Sequence, residues 1–401
     1  MDLDDTPDQA AWRTEVRQWL ARHQSDAPPA RGDFEDPAYV EVRRSWQRSL
    51  TEAGLVGVTW PEEHGGRGRG PVDQVIINQE MARAGVPGHL DVIGIGLMGP
   101  CIIAHGSDEQ RARYLAPMLH GDEVWCQLFS EPAAGSDLAG VQTRAVEQAD
   151  GSWRLTGQKV WTTSAQFAAF GMCLARTDPD AVKHQGLTMF IVPMDAPGIT
   201  VRGLRQISGE AEFNEVFLDD VTVTDDMVVG GVRGGWKAAL TVLMFERMMI
   251  GAGAETIGFR PDRVATALAA AGADDPRVCH RLGELTAELL AVRYGGFRSL
   301  TALSRGQIPG PEAGLAKITT VNALIAAADL VCDTLGPGAL TDEEWGYMTS
   351  FLPGLKSAGG TEQILRTTIG ERVLGLPAEP RVDKGVPFRE LRTRQIAEVA
   401  A

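Results

Sequence analysis

The chain has 401 residues, 44% of them hydrophobic and 23% charged, which excludes a disordered, collagen-like or disulfide-scaffold protein and is long enough for two or three domains. Its 53 acidic and 38 basic side chains leave a formal net charge of −15, so nonspecific nucleic-acid binding, whose affinity comes from neutralised phosphates, is excluded. A phosphate-bearing ligand has to meet a local site.

The opening Met1-Asp-Leu-Asp-Asp5 lacks the basic start and apolar run of a signal peptide. Apolar stretches such as 243–250, interrupted by Glu246 and Arg247, fall short of the roughly 20 residues that a membrane helix needs. The expectation is a cytoplasmic protein without membrane segments. From residue 8 to about 121 the apolar period is helical, beginning with Trp12, Val16, Trp19 and Leu20 at three- and four-residue steps. A further helix is expected over 74–84, after a break at Gly65, Gly66, Gly68 and Gly70. Ser107-Asp-Glu-Gln110 has capping-box spacing ahead of a helix ending at His120.

At Val124 the texture changes to short runs between turn residues, at 153–162, 170–176, 187–192, 199–204 and 215–221, the strands of a β domain. From Gly235 the helical period returns over 236–256, 276–304, 311–335 and 361–374, with Gly and Pro at the ends. The order helical, β, helical divides the chain into 1–123, 124–231 and 232–401, an α+β architecture without internal repeats.

The five cysteines (Cys101, Cys126, Cys173, Cys279, Cys332) have neither zinc-ligand nor Cys-x-x-Cys spacing, so reduced packing residues and no metal are expected. Gly94-Ile-Gly96-Leu-Met-Gly99 matches the dinucleotide fingerprint, but the helix after it would end before Gly106 and its flanks are helical, leaving no βαβ unit to aim at a pyrophosphate. Close helix packing through small residues is the better reading. Ser130-Glu-Pro-Ala-Ala-Gly-Ser136-Asp137 offers two hydroxyls and, at Gly135, close backbone approach; by its chemistry alone it is either a polar turn or a ligand segment. Gly157-Gln-Lys-Val-Trp161-Thr-Thr163 sets a flat indole beside hydroxyls, which suits a flavin ring, although taken alone a β-domain core tryptophan with surface threonines is the better reading.

Together these segments, with Thr59-Trp-Pro-Glu-Glu-His-Gly-Gly66, Phe245-Glu-Arg247, Gly359-Gly-Thr361-Glu-Gln363 and Glu371-Arg-Val-Leu-Gly-Leu-Pro377, resemble the acyl-CoA dehydrogenase family along nearly the whole chain. The resemblance implies an N-terminal helical domain, a middle β-barrel and a C-terminal four-helix bundle, with FAD between barrel and bundle and completed by a neighbouring subunit. Gln127, Phe129 and Ser130 would line the flavin, Ser136 would approach FAD or acyl-CoA, and Trp161 with Thr163 would contact the isoalloxazine. Thr361 and Gln363 would reach the nucleotide half of FAD, and Arg247 would steady the bundle or the CoA. The implied partners are an acyl-CoA substrate, an electron-transferring flavoprotein and a second copy of the chain, in a dimer or tetramer.

The implied reaction is α,β-dehydrogenation: a carboxylate takes the α-proton as hydride leaves the β-carbon for flavin N5. Many members place that carboxylate just before the final Gly-Thr, where this chain has Gly359. A second family solution puts a glutamate before an arginine on the first bundle helix, which Phe245-Glu246-Arg247 matches. Leu243, Met244, Phe245, Met248, Met249 and Ile250 leave almost no polar face, so Glu246 is expected to be desolvated and more basic, with Glu362 the runner-up. Gly251, Ala252, Gly253 and Ala254 beyond it either widen an acyl tunnel or pack the helix.

Three departures stand out. Leu128-Phe129 replaces a small-then-aliphatic pair; the family's Arg-x-x-Phe-Gly, which meets the pyrophosphate from the adjacent subunit, is missing after Ala267; and the later glycine-rich turn is Leu335-Gly-Pro-Gly338, preceded by Asp333. Related proteins pair two unlike subunits and keep only some FAD sites. An FAD-completing subunit of a mixed oligomer, and a flavin oxidase or monooxygenase on the same fold, are therefore the alternative readings.

Overall fold

The computed structural model describes residues 5–252, 261–270, 275–305, 307, 310–381 and 383–391. Thr6 caps α1 (Pro7–His23), and the expected stripe of Trp12, Val16 and Leu20 is its buried face. α2 (Pro37–Glu52), α3 (Pro71–Ala84), α4 (Gly99–His105) and α5 (Asp108–His120) complete the N-terminal layer. The capping box that opens α5 forms as read, with the Ser107 hydroxyl accepting from Gln110 N at 3.2 Å and Gln110 Oε1 accepting from Ser107 N at 3.1 Å.

The dinucleotide-like glycines form one turn of π-helix, Gly94–Met98, that runs straight into α4. A Cβ on Gly99 would stand 2.1 Å from the Trp60 ring, and one on Gly94 2.0 Å from the Asp91 carboxylate, so close packing is their purpose and no phosphate loop exists here. Asp91 secures this turn: its carboxylate accepts from Gly94 N at 2.7 Å and from Trp125 N at 3.3 Å. Burial nevertheless pushes its pKa up to about 8, against those bonds and the pull of Arg44.

An acid whose folded pKa is raised adds stability that is full below its unfolded value and is lost as pH climbs towards the folded one. Neighbouring His89 is pushed down to about 4 by burial, so between that value and its ordinary 6.5 the unfolded imidazole binds a proton that the folded one does not, which offsets Asp91 there. Thermal stability is therefore expected to fall between about pH 6.5 and about pH 8 in the wild type, where only Asp91 differs in protonation between the folded and unfolded chain, and the Asp91→Asn variant, which keeps an accepting oxygen, should flatten that slope. An unchanged slope across a pH series of melting temperatures would show that Asp91 does not hold the proton.

The middle domain is an eight-stranded sheet built from β1 (Trp125–Leu128), β2 (Arg144–Glu147), β3 (Trp153–Thr163), β4 (Phe170–Arg176), β5 (Leu187–Pro193), β6 (Ile199–Leu204), β7 (Phe213–Val223) and β8 (Val228–Val229). The order is β6-β7-β3-β2-β4-β5-β8, with β1 parallel to β4. The five expected strands are present; β1, β2 and β8, at four, four and two residues, were too short to show an alternating pattern. Their inward faces, including Leu155, Cys173, Phe190, Val216 and Leu218, make one apolar core.

The C-terminal part contains α6 (Gly235–Ala252), α7 (Pro261–Ala270), α8 (Pro276–Ser304), α9 (Ala313–Leu335), α10 (Glu343–Phe351) and α11 (Glu362–Arg372). The four long helices are those expected; α7 and α10 are short additions that close the bundle core around Leu324, Val331 and Trp345. One correction concerns Ala313–Ala339, which is long and apolar enough to cross a membrane, contrary to the expectation that no stretch was. More than half of its most apolar window is buried, because α9 is the helix on which α6, α7, α8, α10 and α11 all pack. Another concerns the cysteines: Cys101, Cys126 and Cys173 are core residues as expected, whereas Cys279 is exposed on α8.

Candidate active site

α6 touches every layer, packing on α4, on the 94–98 turn, on β4 and β5, and on α9. It begins against the sheet, where a Cβ on Gly235 would lie 2.6 Å from the Thr188 backbone, and His105 Nε2 meets Thr241 Oγ1 at 2.7 Å. A side chain on α6 can therefore face the junction of the β domain and the bundle.

The β side of this junction is organised by Lys159. Alternation along β3 turns its side chain inward, to 0% exposure, where Nζ donates to Glu131 Oε1 at 2.8 Å, to Phe129 O at 3.1 Å and to Leu174 O at 2.8 Å. Glu131 also accepts from Gln142 N at 2.6 Å and Thr143 N at 2.9 Å. Burial raises its pKa, but Lys159 and these hydrogen bonds outweigh that and hold the carboxyl below its usual range. All three Lys159 protons and both carboxylate oxygens are thus used, the condition under which a buried ion pair is tolerable.

Two residues on, β3 breaks its register between Lys159 and Thr162, and Trp161 takes a left-handed backbone at φ 59°. Such a conformation costs a bulky residue about 1–3 kcal/mol and persists only where its surroundings impose it. Here the neighbouring Val160 N donates to Ser130 O at 2.9 Å, and the Phe213 ring stands edge-on to the indole at 6.0 Å. The indole is left 61% exposed. The core reading of Trp161 is thereby excluded: the bulge turns a large flat apolar group outward, next to Ser130 and partly buried Thr163.

The other residues of the expected flavin surface are distributed as follows. Gln127 is partly buried on β1, opposite Met172. Phe129 packs into the large apolar core at 3% exposure, and its carbonyl is taken by Lys159. Ser136 is exposed on the turn that leads to Val141. That turn is held from below by buried Arg176, which donates to Ala139 O at 2.7 Å and to Val141 O at 3.1 Å, and whose pKa burial lowers to about 10.

On the bundle side, Glu246 is partly buried on α6, beside the partly buried Leu243, Phe245 and Met249 and the buried Val242. The expected near-complete burial is partial in the single chain. The Arg247 side chain, Gly253 and Ala254 lie outside the described residues. Across α6, buried Lys317 of α9 donates to Gly360 O at 2.6 Å and Lys356 O at 3.1 Å; burial depresses its pKa, offset in part by Glu362 and Glu246. Gly359 and Gly360 both have left-handed backbone, at φ 63° and 89°. Glu362 is held by Arg366 at 2.7 Å, which keeps its carboxyl below the usual range. Thr361 caps α11 and accepts from Ile364 N, and Gln363 is exposed on the same turn; both belong to the bundle surface and share no hydrogen bond with the Trp161 group.

Sequence reasoning missed the Lys159–Glu131 clamp, Arg176 and Lys317. For Lys159 a signal was present, since an inward strand position carrying a lysine requires a buried acid. Among the described residues no cluster of His, Cys, Asp and Glu could hold a metal.

This layout is matched by known proteins in three consecutive pieces: the acyl-CoA dehydrogenase N-terminal domain over residues 6–122, the middle domain over 126–221 and the C-terminal domain over 233–374. The chain belongs to the acyl-CoA dehydrogenase family. It is similar to the acyl-CoA dehydrogenase FadE34 of Mycobacterium tuberculosis, 43% identical over 334 residues, with 82% of this chain aligned but only 46% of FadE34. It is also similar to the acyl-CoA dehydrogenase IpdE1 of the same organism, 37% identical over 381 residues, which cover 92% of this chain and 98% of IpdE1. Among solved structures, the Tcur3481-Tcur3483 steroid ACAD superposes with a TM-score of 0.83 at 28% identity, over 94% of this chain and 100% of that one. The ChsE4-ChsE5 complex from Mycobacterium tuberculosis superposes with a TM-score of 0.78 at 27% identity, over 94% and 100%. As an acyl-CoA dehydrogenase fold, the chain carries the Trp161 surface on its β domain and the Glu246 carboxylate on α6, the helix that packs against β4 and β5.

Proposed function

We propose that the chain is an FAD-dependent acyl-CoA dehydrogenase that converts an acyl-CoA thioester to the 2-enoyl-CoA, with Glu246 as the α-proton base. The observation that carries the reading is the strained, outward-facing Trp161 indole beside Ser130 and Thr163. An exposed flat apolar ring bordered by hydroxyls fits an isoalloxazine, and the cost of holding it there is repaid when a planar ligand covers it. FAD, when bound, supplies the two-electron acceptor for the β-hydride.

The chain's own residues do the rest. Trp161 and Thr163 hold the flavin ring, Gln127, Phe129 and Ser130 form its border, and Ser136 meets FAD or the acyl-CoA. Arg247 steadies the bundle or the CoA, and Thr361 and Gln363 reach the nucleotide half of FAD in a neighbouring copy. Glu246 takes the α-proton at its carboxylate. The other position used for this base is occupied by Gly359, whose left-handed backbone would strain any side chain there. Electrons leave to an electron-transferring flavoprotein.

The name of the Tcur3481-Tcur3483 structure speaks of a steroid substrate, so a ring-bearing acyl group is the substrate class proposed here. The test is a panel of acyl-CoAs, steroid side-chain thioesters included, with anaerobic bleaching of the flavin as readout. Bleaching by one class and not by free CoA is expected, and Trp161→Ala should lose bound FAD on gel filtration. Stoichiometric NAD with no flavin in the denatured protein would reject the proposal.

A second reading has its own support. Both solved relatives named above are called by two chains, and this chain lacks the Arg-x-x-Phe-Gly that reaches a partner's pyrophosphate. In it the chain works within a mixed oligomer with an unlike subunit, which supplies the pyrophosphate contact that a second copy of this chain lacks. Protein purified alone, colourless and flavin-free yet turning yellow with a co-expressed partner, would favour this arrangement.

A further inference from the structure

The segment 383–391 returns from the bundle to the β domain, and its hydrogen bonds and ring contact there meet the connection between β4 and β5 and the arginine at its start. Pro387 bridges Val182, Phe388 N donates to Ala181 O at 3.0 Å and Arg389 N to Pro179 O at 2.9 Å, so the tail lies along the connection between β4 and β5. Phe388, only 8% exposed, lays its ring over the Arg176 guanidinium with 3.5 Å between Cζ and the ring centre. That guanidinium is the group that donates to Ala139 O and Val141 O on one side and to Lys183 O at 2.8 Å on the other. Asp383 of the tail pairs with Lys183 at 3.4 Å, and Lys183 pairs in turn with Asp137, the residue after Ser136.

Two independent paths therefore run from the tail to the Ser136 turn, one through Phe388 and Arg176 and one through Asp383 and Lys183. We propose that segment 383–391 is a strap that fixes the position of the Ser136 turn, and that Phe388 is a positioning residue for acyl-CoA binding. The substrate half of this inference rests on the function proposed above; the mechanical half does not. The physical argument is one of access. Arg176 can spend its donors on three carbonyls only while water is kept from its open face, and Phe388 is what covers that face. With the ring gone, water competes for the guanidinium and the carbonyls of Ala139 and Val141 lose a fixed donor. Ser136 itself is exposed on this turn.

The test compares Phe388→Ala, Phe388→Tyr and Asp383→Asn in the full-length protein. Amide exchange at Gly140 and Val141, whose N–H groups close the turn onto Asp137 O and Leu138 O, is expected to speed up at least about tenfold in Phe388→Ala. KM for the acyl-CoA should rise at least about fivefold while kcat stays within about twofold, Phe388→Tyr should restore both, and Asp383→Asn should show the same pattern more weakly. Unchanged exchange at Gly140 and Val141, with faster exchange confined to the tail, would overturn the strap. Faster exchange with KM unmoved would leave the strap standing and overturn the placing of Ser136 at the substrate. Should Phe388→Ala fail to fold, Asp383→Asn carries the same two readouts from the surface.

Discussion

Glu246→Gln is expected to keep the flavin spectrum and acyl-CoA binding while slowing flavin reduction by the substrate at least about a hundredfold. Glutamine matches glutamate in size and still offers an oxygen to the site, so packing on α6 beside Leu243, Phe245 and Met249 is preserved; what it cannot do is accept a proton. The α-proton of a thioester is weakly acidic, and a positioned base in a part-buried setting is what makes its removal fast. The competing carboxylate is poorly suited. Glu362 is engaged by Arg366 at 2.7 Å and by Lys356 at 4.0 Å, and the cation beside it makes it a weaker base. Glu246 sits on α6, which packs against the β domain, the 94–98 turn and α9. Stopped-flow reduction of the two variants decides: near-normal reduction in Glu246→Gln with an inactive Glu362→Gln would transfer the role.

Lys159→Met should cost about 3–5 kcal/mol of stability, because it leaves the Glu131 carboxylate buried without its cation. Set against a total of about 5–15 kcal/mol for a typical domain, that removes a large share of the margin. An apolar double replacement, Lys159→Met with Glu131→Leu, should not restore the loss. Glu131 also accepts from Gln142 N and from buried Thr143 N, and a buried donor such as the latter left unpaired costs about 1–3 kcal/mol. The pH dependence has a definite sign. The folded pKa of Glu131 is depressed, so its contribution is present above the ordinary carboxylate value near 4.5 and is lost as pH falls through the lower folded one. Urea unfolding midpoints of the wild type and both variants measure the effect, and a shift of Lys159→Met equivalent to less than about 1 kcal/mol would show that the pair is dispensable.

The clamp also ties the chemistry to the fold. Lys159 holds Phe129 O and Glu131, Val160 N holds Ser130 O, and only then is Trp161 turned outward. Loss of Lys159 is therefore expected to reduce flavin retention as well as stability, in the same samples.

What the amino-acid sequence determined by itself was local. The three-and-four-residue period buried Trp12, Val16 and Leu20 on α1; the Ser107 and Gln110 side chains closed the start of α5; and short runs between turn residues placed β4 and β6 at the bounds expected for them. These features depend on backbone hydrogen bonds and burial within a few residues, which a window of sequence contains. It also contained the motifs around Ser130, Trp161, Glu246 and Thr361, although not their relation to one another. Tertiary structure alone decided what each polar residue meets. Lys159 finds Glu131 from 28 residues away, Lys317 finds the carbonyl of Gly360 from 43, and Arg176 is covered by a ring from the far end of the chain. Whether a charge can be buried is settled by partners that other elements bring to it, and that sum has no local period to read. The same holds for Trp161: an indole in a strand reads as core, and only the register break beside Ser130, imposed by a strand and a loop from elsewhere, turned it into a surface.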